Sequence, residues 1–119
     1  MGDASLAQRR SRAATVPIRR VRKEEVLPVL ERLDDLLGRH RVAYVLGVHD
    51  LVRRVAACPA GRLPAEIVGQ LRGMYEGNMG SLTDLYISRS NGHEVEDEDD
   101  ANRHLNEISD ELWRLVDAD

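Results

Sequence analysis

The chain has 119 residues, 42% of them apolar, a net charge of −4, four histidines and one cysteine. That length holds one domain with one core, and the lone Cys58 excludes an internal disulfide framework, so a reducing, cytosolic setting is expected. The longest apolar run, Val42 to Val48, is far short of the roughly 20 residues that cross a bilayer, which excludes a transmembrane helix and membrane partners of that kind.

Charge is distributed unevenly. Six arginines and one lysine against Asp3 give residues 1–23 a net of +6, whereas eleven acids against Arg103 and Arg114 give residues 94–119 a net of −9. Residues 1–22, rich in Ala, Ser and Arg and without a sustained apolar period, read as a disordered basic tail. Residues 23–119 read as a single α-helical domain. A basic arm using Arg9, Arg10, Arg12, Arg19, Arg20 and Arg22 suits nucleic acid, and an acidic end suits a basic protein partner. No apolar segment follows the arginines, so a secretory signal is not expected.

From about Lys23 to His40, Val26, Val29, Leu30, Leu33, Leu36 and Leu37 recur at three and four and predict the first helix. Glu24 and Glu25 favour its positive end, Pro28 fits if it falls in the first turn, and Gly38 followed by Arg39, His40 and Arg41 makes the C-terminal stop. A second helix is predicted from about Val42 to Cys58, closed by Pro59, with two adjoining apolar faces: Val42, Val45, Leu46, His49 and Val52 on one, Tyr44, Val48, Leu51 and Val55 on the other. Two such faces predict a central helix or one at a homo-oligomer interface, with His49 as a hydrogen-bonded core residue. A third helix begins near Pro64 and continues through Ile67, Val68, Leu71, Met74 and Tyr75.

The helical pattern then breaks between Glu76 and Ser88. Gly77 and Gly80 with Asn78 allow a sharp turn, and Leu82 to Ile87, the turn pair Asn91-Gly92 and His93 to Val95 suggest a short hairpin or irregular arms. The last helix runs from Asp97 to about Val116, with Ala101, Leu105, Ile108, Leu112 and Leu115 at four, three, four, three. Acids crowd its start, where the helix dipole favours them, Asp99 and Arg103 are spaced to pair, and Trp113 flanks the stripe. The fold expected is therefore mostly α: about four helices in a small bundle, with an irregular or hairpin-like insert before the last.

Catalytic and metal patterns are thin. Gly77 to Ser81 lacks the lysine of a phosphate-binding P-loop, Ser81 is not in a Gly-x-Ser-x-Gly elbow, and His93, Glu94, Glu96, Asp100 and His104 follow no recognised metal spacing. No enzyme activity, metal or cofactor is expected. The stretch Gly77-Asn78-Met79-Gly80-Ser81-Leu82-Thr83-Asp84-Leu85, followed by Asn91-Gly92-His93 and a helix with Asn102, Leu105 and Leu112, resembles a family of small uncharacterised bacterial proteins. In that family a Gly-Gly-Met-Gly-Ser-aromatic/Leu-Asn-Asp-Leu stretch links a helical half to one C-terminal helix; Asn78 and Thr83 depart from it here. Its size and acidity look like those of bacterial immunity proteins. The family carries no established activity; the likeness to immunity proteins, by association, points to binding rather than catalysis. The candidate contacts for a basic, toxin-like partner are Asn78, Asp84, Tyr86 and Arg89 at the corner and Asp97, Glu98, Asp99 and Asp100 at the helix start.

Overall fold

The computed structural model describes residues 21–76 and 82–117. Four α-helices carry the fold: α1 Lys23–Arg39, α2 Val45–Ala56, α3 Ala65–Gly73 and α4 Glu98–Val116. Two short 3-10 turns, Leu82–Asp84 and Arg89–Asn91, lie between α3 and α4. Among the described residues there is no strand, only an isolated antiparallel bridge between Arg22 and Arg62.

The hub is α1, which packs on α2 and on α4. Its whole predicted stripe, from Val26 to Leu37, is buried. The facing stripe of α4 buries Ala101, Leu105, Ile108, Leu112 and Val116, so Val116 rather than Leu115 closes it. Arg32 reaches Glu111 at 3.0 Å and Arg39, two turns on, borders the same hollow as His104, so the two helices run antiparallel. Each fully buried leucine of this seam contributes about 2 kcal/mol of burial. Val21, assigned to the tail by composition, is fully buried, and its carbonyl accepts from Leu63 N–H at 2.9 Å.

Helix ends are closed from other parts of the chain. Lys23 Nζ, on the only lysine, donates to the carbonyls of Ala56 (2.8 Å) and Cys58 (2.6 Å) at the end of α2, where a cation meets the negative end of the dipole. Arg72 Nε does the same for Val116 O at 2.8 Å. Hydrogen bonds from its own backbone N–H and from Gly61 N–H hold the Glu24 carboxyl below its ordinary 4.5. Pro28 is the sixth residue of α1 rather than part of its first turn.

α1 stops within the expected stretch from Gly38 to Arg41, but the glycine is not its left-handed residue. The left-handed residue is Arg41, at φ 56°, with Arg41 N–H bonded to Gly38 O (3.2 Å) and Val42 N–H to Leu37 O (2.9 Å). This is a Schellman closure, and its hydrophobic contact requires an apolar residue one place after the left-handed one. Buried Val42 supplies it against Leu37. A closure at Gly38 offers only Arg39 there. Because Val42 is spent on this turn, α2 begins three residues later than predicted.

One face of α2, Val48, Leu51 and Val55, is buried, whereas Leu46 on the other face is 76% exposed. The expectation of a central helix covered on two sides within the chain is therefore corrected, the homo-oligomer alternative standing apart from it, and so is a core His49, which is exposed and lies 3.2 Å from Asp34 on α1. The hairpin also fails to form. The Asn91-Gly92 turn is there, with Gly92 at φ 87° and His93 N–H bonded to Ser88 O across it at 3.1 Å, but on either side of that pair the backbone bonds to helix ends and to α4 rather than as a two-stranded ladder. Leu82 N–H goes to Met74 O (2.6 Å), and Glu94 N–H to His40 O (2.9 Å). Ile87 goes to the side chain of Asn102, with its N–H donated to Oδ1 and its carbonyl accepting from Nδ2, both at 2.8 Å.

Candidate protein-interaction surface

Asn102 positions the corner. Its amide completes Ile87 as a neighbouring strand does, and Nδ2 also donates to Glu98 O one turn back at 2.8 Å. From that anchor the chain curls tightly. Ser88 Oγ accepts from Asn91 N–H (3.2 Å), and Ser88 N–H donates to His93 Nδ1 (3.1 Å), which leaves the ring proton on Nε2. The Arg89 backbone N–H bonds to Glu98 Oε2 (3.0 Å), and its guanidinium reaches the carbonyls of Val95 (3.2 Å) and Glu96 (3.3 Å). Asp97 caps α4 by accepting from Asp100 N–H at 3.0 Å.

The candidate contacts therefore divide. Arg89 and Glu98 tie the corner to α4, Asp97 is a cap, and Asp100 is paired with Arg103 and lies 3.6 Å from His104. The predicted Asp99–Arg103 pair does not form; Arg103 turns to Asp100 and Glu107. Asp84 and Asp99 are exposed and Tyr86 is 49% exposed, as a contact surface requires. Asn78, like all of 77–81, lies outside the described residues.

Three adjoining hollows unite this end of the bundle. The first, about 440 Å³, lies between the end of α1 and the start of α4 and is bordered by Arg39, His40, Glu94, Asp97, Asp100 and His104. The second, about 530 Å³, shares Arg39 and Glu94 and passes over Arg41 and Ala43 to Leu46. The third, about 330 Å³, shares Val42 and Ala43 and ends among Tyr44, Asp84, Tyr86 and His93. Leu46 and Tyr86, the exposed large hydrophobics among the described residues, thus border neighbouring hollows that share Val42 and Ala43, and together the three hollows form the concave end of the bundle. Sequence reading missed His40, Arg41 and Leu46 as parts of it.

His40 pins the concavity by donating from Nδ1 to Glu94 O at 2.7 Å, beside the backbone bond between the same two residues. Burial pushes the Tyr44 phenol above its ordinary 10.0. Arg41 pairs with Glu94 at 3.3 Å, but the carboxylates of Glu96, Asp97 and Asp99 form no ion pair with any described residue. No three His, Cys, Asp or Glu side chains among the described residues come together to hold a metal.

Arg41 is the one non-glycine at positive φ among the described residues, a conformation that costs an L-residue about 1 kcal/mol. Its ion pair is exposed and offsets little. Arg41→Gly is therefore expected to stabilise the fold by about 0.5–1 kcal/mol, read as a higher urea midpoint at unchanged slope. A lower midpoint contradicts the account of this turn.

Set against family models, curated proteins and solved structures, the chain matches none of them.

Proposed function

We propose that this chain is a small protein-binding module that seats a basic partner on the concave end of the bundle, acting in the cytosol through contact rather than catalysis. The observation that carries this is that Leu46, Tyr86 and two acids whose carboxylates form no ion pair with a described residue, Glu96 and Asp97, border adjoining hollows, with exposed Asp99 next along α4. Apolar anchors supply residence time, and uncompensated charge speeds encounter. A partner of this chemistry is what a nuclease-type toxin presents, so an immunity-like or antitoxin-like inhibitor is the specific form of the proposal. No helix among the described residues is long and apolar enough to cross a membrane.

The test is capture from the native host, followed by kinetics on whatever is captured. Glu96→Gln, Asp97→Asn and Asp99→Asn together remove three charges, and the asparagine introduced in place of Asp97 keeps the helix cap. The triple variant is expected to associate about tenfold more slowly at low salt with little change in dissociation, whereas Leu46→Ala is expected to speed dissociation. Wild-type association by the triple variant overturns the electrostatic part of the proposal.

A further inference from the structure

A second recess, sharing no residue with the concavity, lies on the C-terminal half of α4. Tyr75 and Trp113 stand with ring centroids 4.8 Å apart and planes tilted by 53°, forming a wedge rather than a flat platform. Tyr75 Oη donates to Ser109 O at 2.7 Å, which fixes the ring and uses its one proton. Burial pushes that phenol up to about 12, against the lowering effect of the Ser109 bond and with Asp110 adding to the rise. The wedge opens into a hollow of about 260 Å³ walled by Glu76 and Asp110. Both carboxylates are exposed, and neither forms an ion pair with any described residue.

We infer that this recess binds a guanidinium group, an arginine side chain presented by a partner protein, stacked on Trp113 between the Glu76 and Asp110 carboxylates. The reasoning is chemical. Tryptophan is the strongest aromatic partner for a cation, and a guanidinium, being flat and weakly hydrated, stacks on a ring while its edge hydrogen-bonds a carboxylate. An ammonium does only part of this. Two carboxylates repel phosphate, so nucleic acid is excluded from the same recess. The inference goes beyond the proposed function and stands or falls separately from it, because none of these residues borders the concave end.

Trp113 is the only tryptophan in the chain, so its emission reports on the recess directly. The full-length protein is titrated with N-acetylarginine amide and, in parallel, with its uncharged isostere N-acetylcitrulline amide. Arginine is expected to change the emission saturably with a midpoint on the order of 1 mM, and citrulline at least about tenfold more weakly. Asp110→Asn and Glu76→Gln, both at exposed positions, are expected to weaken the arginine response severalfold with unchanged helical circular dichroism. An equal response to citrulline or to a neutral disaccharide, or a linear response that both variants retain, overturns the assignment. If Arg19→Gln with Arg20→Gln alone shifts the emission of the free protein, the recess is filled by the chain's own arginines and the partner source is wrong.

Discussion

Asn102→Ala is expected to cost about 3 kcal/mol and to lower the melting temperature by roughly 15 °C. Ile87 is fully buried, and the Asn102 amide satisfies both its N–H and its C=O, so truncation leaves two buried backbone groups without partners. Each such group costs about 1–3 kcal/mol, far more than a surface hydrogen bond gains. The damage is expected to be local first. Ile87 anchors the segment that carries Arg89 and His93, so the backbone amides of Ile87 and Ser88 lose protection from exchange before the α1–α4 seam does. Asn102→Leu, which keeps the bulk, is expected to be nearly as harmful. A loss under about 1 kcal/mol for either variant contradicts the anchoring role.

Leu33→Ala is expected to cost about 3–4 kcal/mol, because Leu33 is fully buried in the middle of the hub helix and its removal leaves a cavity with neighbours on two helices. Leu46→Ala is the informative counterpart. With 76% of Leu46 exposed, its truncation is expected to change stability by less than about 0.5 kcal/mol. Leu46→Ala set against Val48→Ala separates two descriptions of α2, since a helix covered on both apolar faces loses comparable amounts at the two positions, whereas here Val48 is buried and Leu46 is not. Chemical denaturation of both variants reads the difference. It also isolates Leu46 as a residue whose weakening of a complex cannot be assigned to unfolding.

The stripes of α1 and α4 were legible because a period of three and four fixes which residues share a face, and one face of each helix is all the fold uses. Periodicity could not say which of two apolar faces on α2 finds a neighbour, since that depends on where α1 and α3 lie. His49 was misplaced for that reason, and Leu46 lies outside the core of the single chain. The turn at Asn91-Gly92 was read from its residues, but strand pairing on either side depended on groups distant in sequence, Asn102 for Ile87 and His40 for Glu94. A signal for Asn102 existed, as a polar residue three before Leu105 beside a buried stripe. The stretch from Gly38 to Arg41 was legible as the stop, but its left-handed residue was not, because Gly38 is the better left-handed residue while only Val42 can close on Leu37.

The candidate contacts divide along the same line. Tyr86, Asp84 and Asp99 lie on the surface as expected, but Arg89 and Glu98 are engaged in holding the corner to α4, and Asp97, though exposed, also caps that helix. An arginine within ten residues of an acid run looks like a binding group in sequence, and only the backbone path shows that it closes a local loop. The concavity joins the α1–α2 turn to the corner across roughly forty residues of chain, a proximity that no local pattern encodes.

The most direct test of the central claim is hydrogen–deuterium exchange of the full chain, free and bound to the partner captured from its host. The account predicts slowed exchange concentrated in residues 39–46 and 84–100, with little change along α3. Protection confined to α3, or recovery only of nucleic acid in a form that needs the arginines of residues 1–22 and leaves 39–46 and 84–100 unchanged, contradicts it.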